Sequence, residues 1–276
     1  MKRQDISIFL LIILFLCITI YSYFNYNKYF TAFELTLLLS TGYIEFIRNK
    51  GNSVSLRLYK NKSLFLKLYV LLLLGSIIED YIFGITFKGW AFPNYTGFDY
   101  LSTVFIGYPA AGLSLMFFTF FLKKEENQAS KIRKQKGDVS QLLLSFLLVI
   151  AGFVLLFFGT NTWYSLIIVF SGFVLFSEYK LRPKGEGIFN NQKTGKASTL
   201  RSVILAAMLI GFLTEGTNLG VYDWKYNNVP FENINLFGIS LIILFLGWVA
   251  LCLYPLYCYK LVKNYRWYSL WPLLHS

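Results

Sequence analysis

Three carboxylates hold most of the chemical capacity of this chain: Glu79 and Asp80 at the end of one long apolar run, and Glu215 at the end of another. Aromatic-rich stretches follow both, residues 79–94 (EDYIFGITFKGWAFPN) and 215–228 (EGTNLGVYDWKYNN). A carboxylic acid kept neutral among apolar rings can protonate an alkene or hold a hydroxyl. Glu79 and Glu215 therefore read as a candidate acid and base, with Asp80 tuning one of them. The same residues are equally suited to capping the outer loops against backbone amides. Asp223, beside Trp224, reads either as an accessory acid or as a solvated loop charge. Trp90 with Phe92 and Trp224 with Tyr226 offer two aromatic walls, which attract a cation through the ring face or anchor the chain at head-group level. Asn94 and Asn227 complete the candidate binding set, and Gly84 and Gly220 are expected to permit tight bends.

The absent residue types narrow the chemistry. The single histidine, His275, is second from the end of the sequence and reads as a solvated tail residue. Its isolation removes Ser–His nucleophiles, histidine-rich di-iron sites and His-rich zinc sites. Cys17, Cys252 and Cys258 lie in apolar runs without metal or disulfide spacing and read as small buried hydrophobes. No phosphate-binding loop, dinucleotide fingerprint or aspartate-rich diphosphate motif occurs. No metal and no cofactor is expected.

The elements that must position the acids are set by composition. Hydrophobic residues make up 56% and charged residues 14%, and the mean hydropathy is +0.52, so the class is an all-α integral membrane protein. Aromatics reach 20%, which points to a cavity shaped for a lipid or polyene, or to AT-rich coding bias. Eight transmembrane helices can be drawn near the ~20 apolar residues a bilayer requires, at 8–23, 30–46, 64–83, 101–122, 142–158, 163–176, 202–219 and 236–259. The first and sixth are short, so seven spans remain an alternative. The first reads as an uncleaved span, because no small-residue cleavage site follows it.

Lys and Arg gather in alternate loops, at 48–62, 123–136, 180–196 and 260–266, while Lys28, Lys88 and Lys225 stand singly in the others. That pattern places both termini in the cytoplasm of a cell-membrane protein. It accounts for the net charge of +12 without nucleic acid and makes anionic lipid head groups the expected partners of the basic loops. Glu45 and Glu178, close to Arg48 and Arg182, read as interfacial ion pairs. Glu34 reads as a solvated residue near the outer edge. The matching motifs, and Arg48-Asn49-Lys50-Gly51 against Arg182-Pro183-Lys184-Gly185, predict two parallel four-helix repeats. These cover 1–126 and 138–262, with a charged cytoplasmic linker at 127–137 and a cytoplasmic tail at 263–276.

The pattern Asp80-x-x-x-Gly84, Trp90-x-Phe92-x-Asn94 and Gly97 resembles the repeated unit of the small membrane-integral lycopene cyclases of carotenoid synthesis. Trp224-x-Tyr226, with Phe237-Gly238-Ile239 and Gly247-Trp248, is similar to the second unit of the related carotenoid hydratase-like proteins. The cyclases carry Pro-x-Glu-Glu after the Trp motif. Here that place reads Tyr108-Pro109-Ala110-Ala111, without the usual acid. The resemblance implies a multi-helix membrane fold and a long isoprenoid ligand. The expected function is a cofactor-independent enzyme that protonates a polyene and permits cyclisation, isomerisation or hydration. The alternative is a non-enzymatic lipid or metabolite transporter or an assembly factor. Against a transporter, no span shows an evident mid-membrane Gly/Pro break beyond Gly107, Pro109 and Gly112.

Overall fold

Long runs of Leu, Ile, Phe and Val leave the backbone one economical way to satisfy its hydrogen bonds in lipid, which is the helix. The computed structural model is helical through most of the residues it describes: 3–123, 138–159, 161–189 and 198–264. Helices α1 (Arg3–Tyr26) and α2 (Phe30–Asn49) are followed by a short helix α3 (Val54–Lys60). Helix α4 (Lys62–Ser76) passes without a break into the wider π-helical turns of Ile77–Thr86. Helix α5 (Gly97–Ser102) runs through π turns at Thr103–Gly107 into α6 (Tyr108–Leu122). Beyond the linker come α7 (Val139–Phe157), α8 (Thr162–Leu181) and α9 (Ser198–Val221). The chain closes with π turns at Ile243–Trp248 and α10 (Val249–Asn264).

Among the described residues, seven helices are long and apolar enough to cross a membrane: Ile6–Tyr26, Phe30–Asn52, Gly97–Leu122, Val139–Phe157, Thr162–Lys184, Thr199–Val221 and Ile243–Asn264. The chain is an all-α, membrane-embedded, multi-pass protein. The remaining expected segment, 64–83, is helical too; it is the one that carries Glu79 and Asp80. The sixth expected span, drawn short at 163–176, is a full 20 residues because Glu178 and Lys180 belong to its last turn. Cys17 is exposed on α1, not buried, since that helix packs mainly on α2 and presents Phe9, Leu10, Leu14 and Phe24 outward. Pro255 lies inside α10, which runs on without a break although the ring removes one helical hydrogen bond.

The core forms where α6 and α10 meet. Helix α6 also touches α2, α4 and α9, while α10 also touches α4, α8 and α9. Leu115 and Met116 of α6 and Cys252, Leu256 and Tyr257 of α10 are fully buried there. Helices α7 and α8 close on each other through glycine. A Cβ at Gly152 would stand 2.5 Å from Val169 Cγ2, and one at Gly172 would stand 2.7 Å from the Ser145 carbonyl. Small residues at such crossings let backbones approach in lipid, where packing takes over from the hydrophobic effect.

At one end of the bundle two loops join. Strand β1 (Trp90–Ala91) pairs antiparallel with β2 (Lys225–Tyr226), with Trp90 opposite Tyr226 and Ala91 opposite Lys225. Strands β3 (Asn235–Leu236) and β4 (Ile239–Ser240) form a separate hairpin. The linker 127–137, His275 and the tail beyond 264 lie outside the described residues.

Candidate functional site

Glu79 and Asp80 are adjacent in the π turns after α4, so they point differently. Asp80 is fully buried behind an aromatic wall. The Trp90 indole N–H donates to Asp80 Oδ1 at 2.8 Å, and the Tyr108 hydroxyl donates to the same oxygen at 3.2 Å. Glu215, near the end of α9, is held in the same way. Its Oε1 accepts the Tyr226 hydroxyl at 2.6 Å and the Trp248 indole N–H at 2.9 Å. Each acid thus fixes one aromatic from a loop strand and one from a helix start. The two loop aromatics, Trp90 and Tyr226, are the residues opposite each other in the β1–β2 pair.

The rings so fixed line a cavity of about 470 Å³, within the ordinary size range of small-molecule sites. Trp90, Trp163, Trp224 and Trp248 contribute to its wall, with Phe30, Phe92, Tyr108 and Tyr226 beside them. Further in, the wall is Leu72, Leu115, Phe170, Phe173, Tyr254 and Pro255. Residues from both sequence halves enclose one space. π-helical turns widen the backbone in three of the segments that form it, around Glu79, before Tyr108 and before Trp248. Such turns recur at functional sites.

Among the described residues, Glu79 is the one carboxylate in this wall. It is half-buried, and among the described residues no group donates a hydrogen bond to it. Asp80 and Glu215, expected as its catalytic companions, stand behind the rings instead of in the wall. Of the expected binding residues, Trp90, Phe92, Trp224 and Tyr226 line the cavity. Asn94 does not: it is exposed on the loop. Asn227 laces the two loops together. Its amide N–H donates to the Gly89 carbonyl at 2.8 Å, its side chain to the Lys88 carbonyl at 3.0 Å, and its own carbonyl accepts the Trp163 indole at 2.9 Å.

Gly84 and Gly220 do not make the expected bends, because both lie within helical runs. What they provide is room. A Cβ at Gly84 would stand 2.5 Å from the Trp90 indole, and one at Gly220 would strike the Tyr23 hydroxyl. Tyr108, Trp163 and Trp248 were not anticipated as site residues. A signal for two of them exists, since each follows a glycine at matching places, Gly107-Tyr108 and Gly247-Trp248.

Asp223 is neither solvated nor in the cavity. Its Oδ2 accepts the backbone N–H groups of Tyr29 and Phe30, both at 3.0 Å, and the Tyr95 hydroxyl at 3.3 Å. It therefore caps the start of α2, whose own N-cap residue, Tyr29, makes no side-chain capping bond. Burial pushes the Asp223 carboxyl up to about 6, against the opposing pull of those donors. Asn218 clamps the next residue, exchanging bonds of 2.9 and 3.1 Å with the Trp224 backbone.

At the other end of the bundle, Glu45 accepts five bonds, from Asn49, the Ser53 and Ser55 hydroxyls, and the backbone N–H groups of Val54 and Ser55. Glu178 accepts the N–H groups of Ile188 and Phe189 and the Tyr257 hydroxyl. The expected ion pair forms at Glu178, 3.7 Å from Arg182. At Glu45 it does not, because Arg48 turns to the Phe121 carbonyl and ring. Glu34, expected in solvent, is fully buried in α2 with both carboxyl oxygens unpartnered. Among the described residues no group of three His, Cys, Asp or Glu side chains is placed to hold a metal ion. No protein-family model, no curated protein and no solved structure matches this chain, so the geometry of the site itself bears the functional argument.

Proposed function

We propose that this protein is a membrane-embedded, cofactor-independent enzyme that takes part of an isoprenoid or related polyene lipid into the aromatic cavity and protonates it with Glu79. The observation that carries this reading is the isolation of Glu79: among the described residues it is the one acid in a cavity wall with four indoles, and none of them donates a hydrogen bond to its carboxyl. In its neutral form the carboxyl delivers its proton to an alkene carbon. A C–H bond forms, the π pair is consumed, and the neighbouring carbon becomes cationic. Indole and phenol faces stabilise such a charge without capturing it. Return of a proton to the Glu79 carboxylate completes an isomerisation or cyclisation, while addition of water with loss of its proton completes a hydration. Asp80 and Glu215 serve as positioning residues, holding the polar tips of four rings so that their bodies shape the cavity.

The architecture belongs to the same proposal. Counting α4 with its π turns as a span gives two parallel units of four helices, 1–126 and 138–262, in a cell membrane with both basic ends cytoplasmic. Matching carboxylate contacts support this: Asp80 with Glu215 at one end, and Glu45 with Glu178 at the other.

A second reading, a proton-coupled lipid transporter, draws on Glu34 and Pro255. An unpartnered acid inside a span marks transport proteins, and a proline inside a helix at a cavity wall leaves one backbone carbonyl without its helical donor. The test is mass spectrometry of lipid extracts from polyene-producing cells expressing the wild type, Glu79→Gln or Glu34→Gln. The enzyme reading expects an isomeric or once-hydrated lipid that disappears with Glu79→Gln alone. Unchanged lipid chemistry, with lipid redistribution abolished by Glu34→Gln, would establish the transporter.

A further inference from the structure

Among the described residues, the basic turns of the two halves are held differently. In the second half, the cations of the turn at Arg182–Lys184 have protein partners. Arg182 stands 3.7 Å from Glu178 Oε2 and donates to the Gln141 side chain at 2.8 Å, and Lys184 donates to the Asn264 carbonyl. In the first half the matching turn, Lys50–Asn52, together with α3 and the start of α4, encloses a concavity of about 630 Å³. Arg57, Lys60 and Lys62 stand in its wall, and among the described residues no acidic one does. Arg57 has one neutral partner, the Tyr259 hydroxyl at 3.3 Å. Among the described residues Lys60 and Lys62 have none.

Three cations around one concavity repel each other until an anion joins them. A phosphate suits this set: the Arg fork binds two of its oxygens and the lysines supply point charge. The surroundings distinguish a lipid phosphate from a free one. Leu56 gives the concavity an apolar wall. Phe65 and Leu66, in the first turn of α4 beside Lys62, are exposed, as is Tyr59 at the end of α3. Acyl chains would lie along these side chains, whereas a free anion gains nothing from them.

We propose that this concavity is a binding site for the head group of an anionic phospholipid, with Arg57, Lys60 and Lys62 on the phosphate and Phe65 and Leu66 against its chains. The site stands apart from the aromatic cavity and its chemistry.

Full-length protein in detergent, titrated with a short-chain phosphatidylglycerol, the matching phosphatidylcholine and inorganic phosphate, tests this by native mass spectrometry. Each cation near an anionic lipid surface contributes roughly fivefold in affinity, so Lys60→Gln/Lys62→Gln should weaken phosphatidylglycerol binding on the order of 25-fold. Gly51→Asp provides a second variant. No atom lies within 4 Å of the position its Cβ would take, so the fold should survive while the new carboxylate repels the phosphate. Phosphatidylcholine should bind weakly and respond to neither variant. Equal affinity for the two lipids, or phosphatidylglycerol binding that ignores both variants, would overturn the proposal. Inorganic phosphate displacing the lipid at equal concentration would assign the site to a free anion and overturn the lipid.

Discussion

Glu45 and Glu178 at one end of the bundle and Asp80 and Glu215 at the other are buried alike but held differently. At the basic end, Glu45 is held by backbone amides and short hydroxyls and Glu178 by two backbone amides, the Tyr257 phenol and Arg182, so that both tie a loop to a helix. At the aromatic end, Asp80 and Glu215 each accept one indole and one phenol on a single oxygen, and Glu79 accepts nothing. An acid enclosed by amides has its energy invested in the backbone fold. An acid held by ring tips has it invested in the position of those rings, and an acid held by nothing is available to a ligand. Partner type thus separates structural from functional carboxylates where burial and sequence do not.

The largest effect that could break this comparison is expected at Glu45. Glu45→Ala would leave the N–H groups of Val54 and Ser55 without acceptors. At the usual penalty for each buried orphaned donor, the loss is about 3–5 kcal/mol. It should appear as a lowered thermal midpoint in detergent, with ligand affinity of the surviving folded protein unchanged. A midpoint within a degree of wild type would show that amide-held acids are not structural here.

Asp223 is the intermediate case, an aromatic-end acid that caps a helix. The unfolded chain releases this proton near pH 4, while the folded protein keeps it to about 6. Between those values the folded state binds more protons, so stability should fall as pH rises through the window, by at most about 3 kcal/mol. Asp223→Asn retains an oxygen for the Tyr29 and Phe30 amides and should flatten the dependence. A wild-type profile that rises over the same window would contradict a carboxyl destabilised by burial.

The acids and loop aromatics were legible in the sequence because each motif occurs twice, an acid followed by Gly and then Trp-x-aromatic. Their partners were not. Tyr108 and Trp248 lie 28 and 33 residues from the acids they serve, and Asp223 caps a helix that starts 193 residues earlier in the chain. Apolar periodicity gives lipid-facing and cavity-facing residues the same signature, so Trp163 and Phe170 could not be told from Phe9 or Leu14. Adjacent charges also suggested the wrong partner for Glu45. Arg48, in the last turn of α2, turns instead to a carbonyl on α6.

Glu79→Gln sharpens the comparison from the other side. A positioned general acid contributes at least about 100-fold in rate, equivalent to about 2.7 kcal/mol. Its removal should abolish most turnover of the polyene while the thermal midpoint hardly moves, because no protein hydrogen bond is lost. Equal falls in stability and turnover would return Glu79 to a structural role.

The smallest effects are expected at Asp80 and Glu215, and their equality is the informative part. Asp80→Asn and Glu215→Gln each weaken two side-chain hydrogen bonds without orphaning an amide, so each should lower stability by about 1–2 kcal/mol. The fixed rings then turn more freely, and turnover should fall roughly tenfold through looser placement of the cation-facing surfaces. Trp90 and Tyr226 are paired across β1–β2, so disturbance of one acid reaches the ring held by the other. The two substitutions should therefore couple, with the double variant less damaged than the sum of the single ones. Additive losses would mean two independent ring clamps. A loss confined to one of them would mean that only that half of the wall faces the reacting end of the lipid.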